Sequence, residues 1–400
     1  MRFIITSAIA FLLCASSRAQ DAATLAAREA NQHAFELFQL FRQMTKGNFC
    51  FSPYSGHRVA AMLAEGAKGE TQEQIMAMAH LSSDQKVRVV QSAALSKELS
   101  NSIGQGLSID VANAIWMPAG NAFLPSFESM AKDQFGAASL LLPAGAPASS
   151  ASMVNHCLRE KTRGRMTSLV GPGTFLPDHE TALVVNTVYL KGVWDQPFEP
   201  AKTKPREFTQ GSGSMSMLPM MLKTAMFGFS DSEFWQHLEM SFAGDACCMR
   251  FLLPRADGGR SGIEAALNVT LWDQVRRGEG LCEVNVMLPR FGFSTQLDMK
   301  GLWQVLGVRD AFERQKSDLT AMIAKKPCWI SQVLHEATIE INEIGAVAAA
   351  ATAAADPFGA PANEPPKPRR ESFIANHPFL WTIEHRRTGL ILFMGRFAGE

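Results

Sequence analysis

Thr338-Ile339-Glu340-Ile341-Asn342-Glu343-Ile344-Gly345 runs straight into Ala346-Val347-Ala348-Ala349-Ala350-Ala351-Thr352-Ala353-Ala354-Ala355, and then into Asp356-Pro357. In the first part Ile339 and Ile341 alternate with Glu340 and Asn342, the pattern of a half-buried strand over 338–344. The alanines favour helix by propensity, yet an isolated ten-residue helix is marginal in water. Pro357, Pro361, Pro365, Pro366 and Pro368 follow; they cannot donate to a central ladder or sit in a helix interior. Taken alone, the tract reads as a flexible Ala/Pro connection. A connection this long inside one compact domain is usually functional.

The rest of the chain supplies that domain. Its 400 residues are 46% hydrophobic and 19% charged, the composition of a globular protein. Lys plus Arg and Asp plus Glu both number 38, without the basic excess a nucleic-acid partner demands. Arg2, the apolar run Phe3–Leu13 and the small-residue stretch ending at Ala19 read as a signal peptide over 1–19, too short to span a bilayer. Cleavage there leaves 400 − 19 = 381 residues and a net charge of 36 − 38 = −2. The expectation is a secreted or periplasmic chain with no membrane span.

Six cysteines then remain, Cys50, Cys157, Cys247, Cys248, Cys282 and Cys328, widely spaced in apolar runs, and they read as buried thiols. Asn268-Val269-Thr270 is the only glycosylation sequon, usable in a host with that machinery.

Residues 22–45 read as an amphipathic helix with Phe35, Phe38 and Phe41 on one side. A second helix opens with Ser52 as its cap and Pro53 in its first turn, and ends near Gly66–Gly69. Strands follow at 181–190, 247–253, 283–288 and 338–344, and a C-terminal hairpin pairs 380–384 with 390–393. Helices come early and strands late, with no linker between them, so residues 20–400 read as one α+β domain. Ser, His and Asp are plentiful, but GxSxG, HExxH and phosphate-loop motifs are missing from the sequence. No enzyme, metal or cofactor is expected.

Several motifs, in this order, resemble those of the serpins. They are Asn48-Phe49-Cys50-Phe51-Ser52-Pro53-Tyr54-Ser55, Gly66-Ala67-Lys68-Gly69-Glu70-Thr71, Val111-Ala112-Asn113-Ala114-Ile115-Trp116 and Val184-Val185-Asn186-Thr187-Val188-Tyr189-Leu190-Lys191-Gly192-Val193-Trp194. Leu288-Pro289-Arg290-Phe291, Asn376-His377-Pro378-Phe379-Leu380 and Phe393-Met394-Gly395-Arg396 complete the set. The resemblance implies helices packed on a large, mostly antiparallel central sheet, smaller sheets, and an exposed reactive loop over about 343–375. It also implies the activity: a serine protease cleaves the loop, is caught as an acyl-enzyme, and is dragged along as the loop inserts into the sheet.

Within that resemblance Glu343, Gly345, Ala346, Ala348, Ala350, Thr352 and Ala354 form the hinge and inserting face. The alternate residues are all small, so burying them forces nothing bulky into a core. Ala346 and Val347 depart from the family's usual Thr or Ser and Glu. Ser52, Ser55, Asn186 and His335 match the polar shutter beneath the sheet, and Trp194 matches the breach at its top. The same residues would otherwise be ordinary buried polar packing and a core aromatic.

The reactive bond is read as Phe358-Gly359, with Gly359-Ala360 next and the Lys367, Arg369 and Arg370 cluster as the competing choice. At about 3.3 Å per residue, Gly345 to Phe358 spans roughly 43 Å and Gly345 to Arg369 roughly 79 Å, and the longer tether would leave slack. Chymotrypsin- and elastase-like serine proteases are therefore the expected partners of a monomeric inhibitor. A non-inhibitory carrier or chaperone and an inhibitor of cysteine proteases are the alternatives. Heparin is not expected to matter, because 80–100 offers only Lys86, Arg88 and Lys97; Arg159, Lys161, Arg163 and Arg165 read as a solvated helix face.

Overall fold

Ser52 stops one strand and starts a helix: its backbone is extended, its side-chain oxygen accepts the Ser55 amide, its carbonyl accepts the Gly56 amide, and Pro53 occupies the first helical position. The same local logic runs through a computed structural model that describes residues 2–102, 106–143, 145–162, 164, 168–175, 181–255, 259–324, 327–346 and 368–400. Its helices are α1 Arg2–Met44, α2 Pro53–Gly66, α3 Gly69–Met78, α4 Gln85–Ser102, α5 Pro125–Phe135, α6 Pro147–Lys161, α7 Gly259–Ala266, α8 Val269–Arg277 and α9 Lys300–Val305. The strands are β1 Phe49–Phe51, β2 Leu107–Pro118, β3 Ala137–Leu142, β4 Thr181–Val193, β5 Lys204–Thr209, β6 Met215–Asp231, β7 Trp235–Ser241 and β8 Cys247–Pro254. They continue with β9 Gly280–Pro289, β10 Phe291–Asp298, β11 Trp329–Ile341, β12 Gly345–Ala346, β13 Arg370–Ile374, β14 Phe379–His385 and β15 Leu390–Phe397.

Two sheets result. One runs β1-β15-β14-β8-β7-β6-β9-β13, with β5 paired to β6; the other runs β10-β11-β4-β2-β3, with β12 paired to β4. In the second, β11 lies parallel to β4 from Trp329↔Thr181 to Thr338↔Tyr189, whereas β10–β11 and β2–β4 are antiparallel. Parallel neighbours need a long crossover, and here the chain between β4 and β11 builds most of the other sheet. Helix α1 buries Phe35, Phe38 and Phe41; Phe38 and Phe41 pack on Phe49, and Phe41 stacks on Phe51 at 4.5 Å. On the opposite face of the six-stranded sheet, Ala151, Val154 and Leu158 of α6 share a core with Ala112, Ala114, Leu183, Val185 and Leu334.

Three expectations change. Helices and strands interleave rather than segregate, because β2, β3 and β4 alternate with α5 and α6. The strand expected over 338–344 ends at Ile341, where the Asn342 side chain accepts the amides of Ile344 and Gly345 and turns the chain. The helix expected over 22–45 runs instead over Arg2–Met44. Among the described residues no helix is long and apolar enough to cross a membrane. Cys50, Cys247, Cys248 and Cys282 are buried free thiols, Cys157 is a half-buried one, and Cys328 is buried.

Candidate functional site: a parallel seam and its hinge

Four side chains from distant parts of the sequence meet where β4 and β11 run side by side. His335 and Asn186 are register partners across that seam. The Ser52 amide donates to His335 Nε2 at 3.1 Å, so Nε2 is bare and the proton sits on Nδ1, which donates to Asn186 Oδ1 at 2.6 Å. Asn186 Nδ2 in turn donates to Ser55 Oγ and to Asn113 Oδ1. Ser52 Oγ donates to the Leu392 carbonyl at 2.7 Å, and Asn113 Nδ2 to the Phe135 carbonyl at 3.3 Å. One cluster therefore ties α2, β2, β4, β11 and β15 together, and reaches the end of α5.

Burial pushes the His335 imidazole down to about 4. A proton on Nε2 would also set two N–H donors against each other at Ser52. The neutral ring is thus fixed by geometry as well as by desolvation.

The sequence reading missed Asn113. Its only signal was a lone amide inside the apolar run Val111–Trp116.

Above Thr338↔Tyr189 the seam opens, and the hinge occupies the gap. β12 lies antiparallel on β4, with Gly345 opposite Val193 and Ala346 opposite Gly192. Gly345 has φ +146°, and a Cβ there would stand 2.2 Å from the Gly192 carbonyl oxygen; no other residue fits this seat. Gly192 is equally constrained, since its Cβ would meet the Phe242 ring at 2.7 Å.

Trp194 stacks on Phe242 at 4.8 Å; its Nε1 donates to the Asn342 carbonyl and its amide to the Ile344 carbonyl. Buried Glu343 accepts from Thr203 Oγ1 at 2.7 Å, lies 3.7 Å from Arg290, and its carbonyl takes the Phe198 amide. Thr203, Arg290 and Asn342 were not foreseen as parts of the site.

Ala348, Ala350, Thr352, Ala354, Phe358 and Gly359 lie outside the described residues. Asn268 is exposed and caps α8, accepting the amides of Thr270 and Leu271. Arg159 and Lys161 are exposed on the last turn of α6, and Arg163 and Arg165 fall outside the described residues. On α4 the Arg88 guanidinium is held by Glu65 at 2.7 Å.

The site is a helix-clad sheet whose central parallel pair is splayed at one end, with the following segment seated in the gap. The sequence matches the family described as Serpin (serine protease inhibitor) over residues 28–399, and the protein belongs to the serpin family. Serpin B8 of Bos taurus is 34% identical over 88% of this chain and 92% of its own. Leukocyte elastase inhibitor of Bos taurus is 31% identical over 88% and 93%. The structure also superposes on native protease nexin-1 with heparin at a TM-score of 0.82 and 24% identity, covering 95% of this chain and 99% of the other. The expectation that heparin does not matter is therefore not borne out: a matching fold is known with heparin.

Proposed function

We propose that this serpin is a suicide-substrate inhibitor of chymotrypsin- or elastase-like serine proteases, trapping the acyl-enzyme by loop insertion between β4 and β11. The single observation behind this reading is the seat of β12. The pairing Gly345↔Val193 fixes a sum of 538. Carried down β4 at that sum, Ala348 falls opposite Leu190, Ala350 opposite Val188, Thr352 opposite Asn186 and Ala354 opposite Val184. Cross-strand partners share a face, and all four β4 side chains are buried. Only small residues would enter that face, and the chain supplies only small ones. Insertion exchanges one parallel pairing for two antiparallel ones, the direction that gains hydrogen bonds.

The Leu–Val–Asn–Val face that receives the segment argues against the carrier reading, because nothing in the inserting residues obstructs entry. The signal-like start of the sequence supports export as part of the same proposal.

Incubation with chymotrypsin and with pancreatic elastase should give a covalent complex stable in SDS and a released C-terminal fragment beginning at Gly359. Cleaved protein should melt far above intact protein. A cleaved chain with an unchanged melting temperature and fully active protease refutes the proposal.

A further inference from the structure

His33 of α1 is fully buried, and neither of its ring nitrogens has a hydrogen-bond partner. Its ring lies 6.3 Å from that of His57 on α2. His57 Nε2 is 3.0 Å from the Ala79 carbonyl at the end of α3; a carbonyl only accepts, so Nε2 carries the proton. One residue on, His80 holds a left-handed backbone, φ 54°, and bonds Glu36 of α1 through both carboxylate oxygens at 2.8 and 2.9 Å. Three imidazoles thus fill the junction of α1, α2 and the α3 terminus.

Among the described residues, the groups facing this junction leave its two buried rings, His33 and His57, without a paired carboxylate. From α1, Glu36 is engaged by His80, and Glu29 takes the Gln91 amide from α4. From α2, Arg58 is bound to Tyr54, Ser96 and the Gln134 carbonyl. From α4, Arg88 pairs with Glu65. The charges acting on His33 are those of His57 and His80, and those acting on His57 are His80 and Arg58, all bases. The Met78 carbonyl favours the charged His33 ring slightly, without a well-formed hydrogen bond. Burial dominates and pushes His33 down to about 3 and His57 to about 4. Two residues before His57, Ser55 accepts from Asn186, and Ser52 at the cap of the same helix holds His335.

We propose that His33, His57 and His80 form an acid-sensitive lock joining α1, α2 and α3, and that protonating its buried rings frees α2 and, with it, the polar cluster closing the β4–β11 seam. The sign follows from linkage. Burial pushes His33 and His57 below the free value near 6.5, so the released state binds more protons below that pH. Stability present at neutral pH is therefore lost as pH falls from about 6.5 toward 4. At pH 5 each released ring gains roughly thirty-fold in the opening equilibrium, and two rings gain roughly a thousand-fold.

The test uses the full chain and no protease, so its outcome is independent of the inhibitory reading. Urea unfolding is compared at pH 7.5 and pH 5.0 for the natural protein, for His33→Phe with His57→Gln, and for His156→Gln, an exposed control on α6. The pH-dependent rise in the unfolding constant should be about a thousand-fold smaller in the double variant and unchanged in the control. If the double variant packs poorly, His57→Gln alone, whose amide can still donate to Ala79, should remove about thirty-fold. Deuterium uptake, corrected for intrinsic rates, should rise in α1–α3 at pH 5.0 before it rises in α6. Parallel pH losses in natural and substituted proteins, or α1–α3 protection equal at both pH values, overturn the proposal.

Discussion

Replacing Asn186 with Ala removes the one side chain that bonds three others at the β4–β11 seam. Two groups are then left buried without partners: Asn113 Oδ1, which loses its donor, and the His335 Nδ1–H, which loses its acceptor. Ser55 Oγ loses a donor too, but it is a hydroxyl that still can turn toward another acceptor. Each stranded polar group costs about 1–3 kcal/mol, so the substitution should cost about 2–6 kcal/mol. At about 2.1 cal/mol per kelvin per residue, the 360 described residues unfold with an entropy near 0.8 kcal/mol per kelvin, which converts the loss to a melting shift of about 3–8 °C.

Ser55→Ala is the internal comparison. It leaves Asn186 with Asn113 and His335, and should shift melting by about 1–2 °C. Differential scanning calorimetry of the uncleaved proteins reads both, and brief incubation just below the transition should convert the Asn186→Ala protein to an inactive, heat-stable form faster than the parent. A shift under 1 °C for Asn186→Ala, or one no larger than that of Ser55→Ala, would refute the idea that this amide holds the seam.

Two further outcomes are expected. Gly345→Ala cannot keep φ +146° with a Cβ 2.2 Å from the Gly192 oxygen, so the hinge should leave its seat at a cost of about 1–3 kcal/mol; Trp194 emission should shift and the stoichiometry of inhibition should rise, and an unaltered spectrum with unaltered stoichiometry contradicts the seat. Phe358→Ala should slow inhibition of chymotrypsin at least tenfold while leaving the melting temperature of the intact protein unchanged; an unchanged rate, or a trypsin complex releasing a peptide that begins at Arg370 or Glu371, moves the reactive bond elsewhere.

Much of this molecule was legible as sequence because local physics wrote it. Alternation marked Ile339 and Ile341 as the buried side of a strand, Ser52-Pro53 marked a helix start, and the spacing of Phe35, Phe38 and Phe41 marked a buried helical stripe. These are effects of neighbours a few residues apart, and the chain order records them directly. The shutter residues could be named only through family resemblance, since Ser52, Asn186 and His335 lie more than a hundred residues from one another and no local rule pairs them.

Tertiary structure alone decided the rest. Asn113 joins the cluster because β2 happens to be the antiparallel neighbour of β4, a fact of sheet order that its own segment does not carry. Thr203 and Arg290 reach Glu343 from the connections before β5 and between β9 and β10, far from it in sequence. The proton on His335 Nδ1 follows from a backbone amide 283 residues away. His33 and His57 look in sequence like two unremarked residues on two helices; only the crossing of α1 with α2 sets their rings 6.3 Å apart, with no carboxylate bonded to either. Contacts between residues distant in sequence depend on how elements pack, and packing is chosen by the whole core rather than by any stretch that can be read by itself.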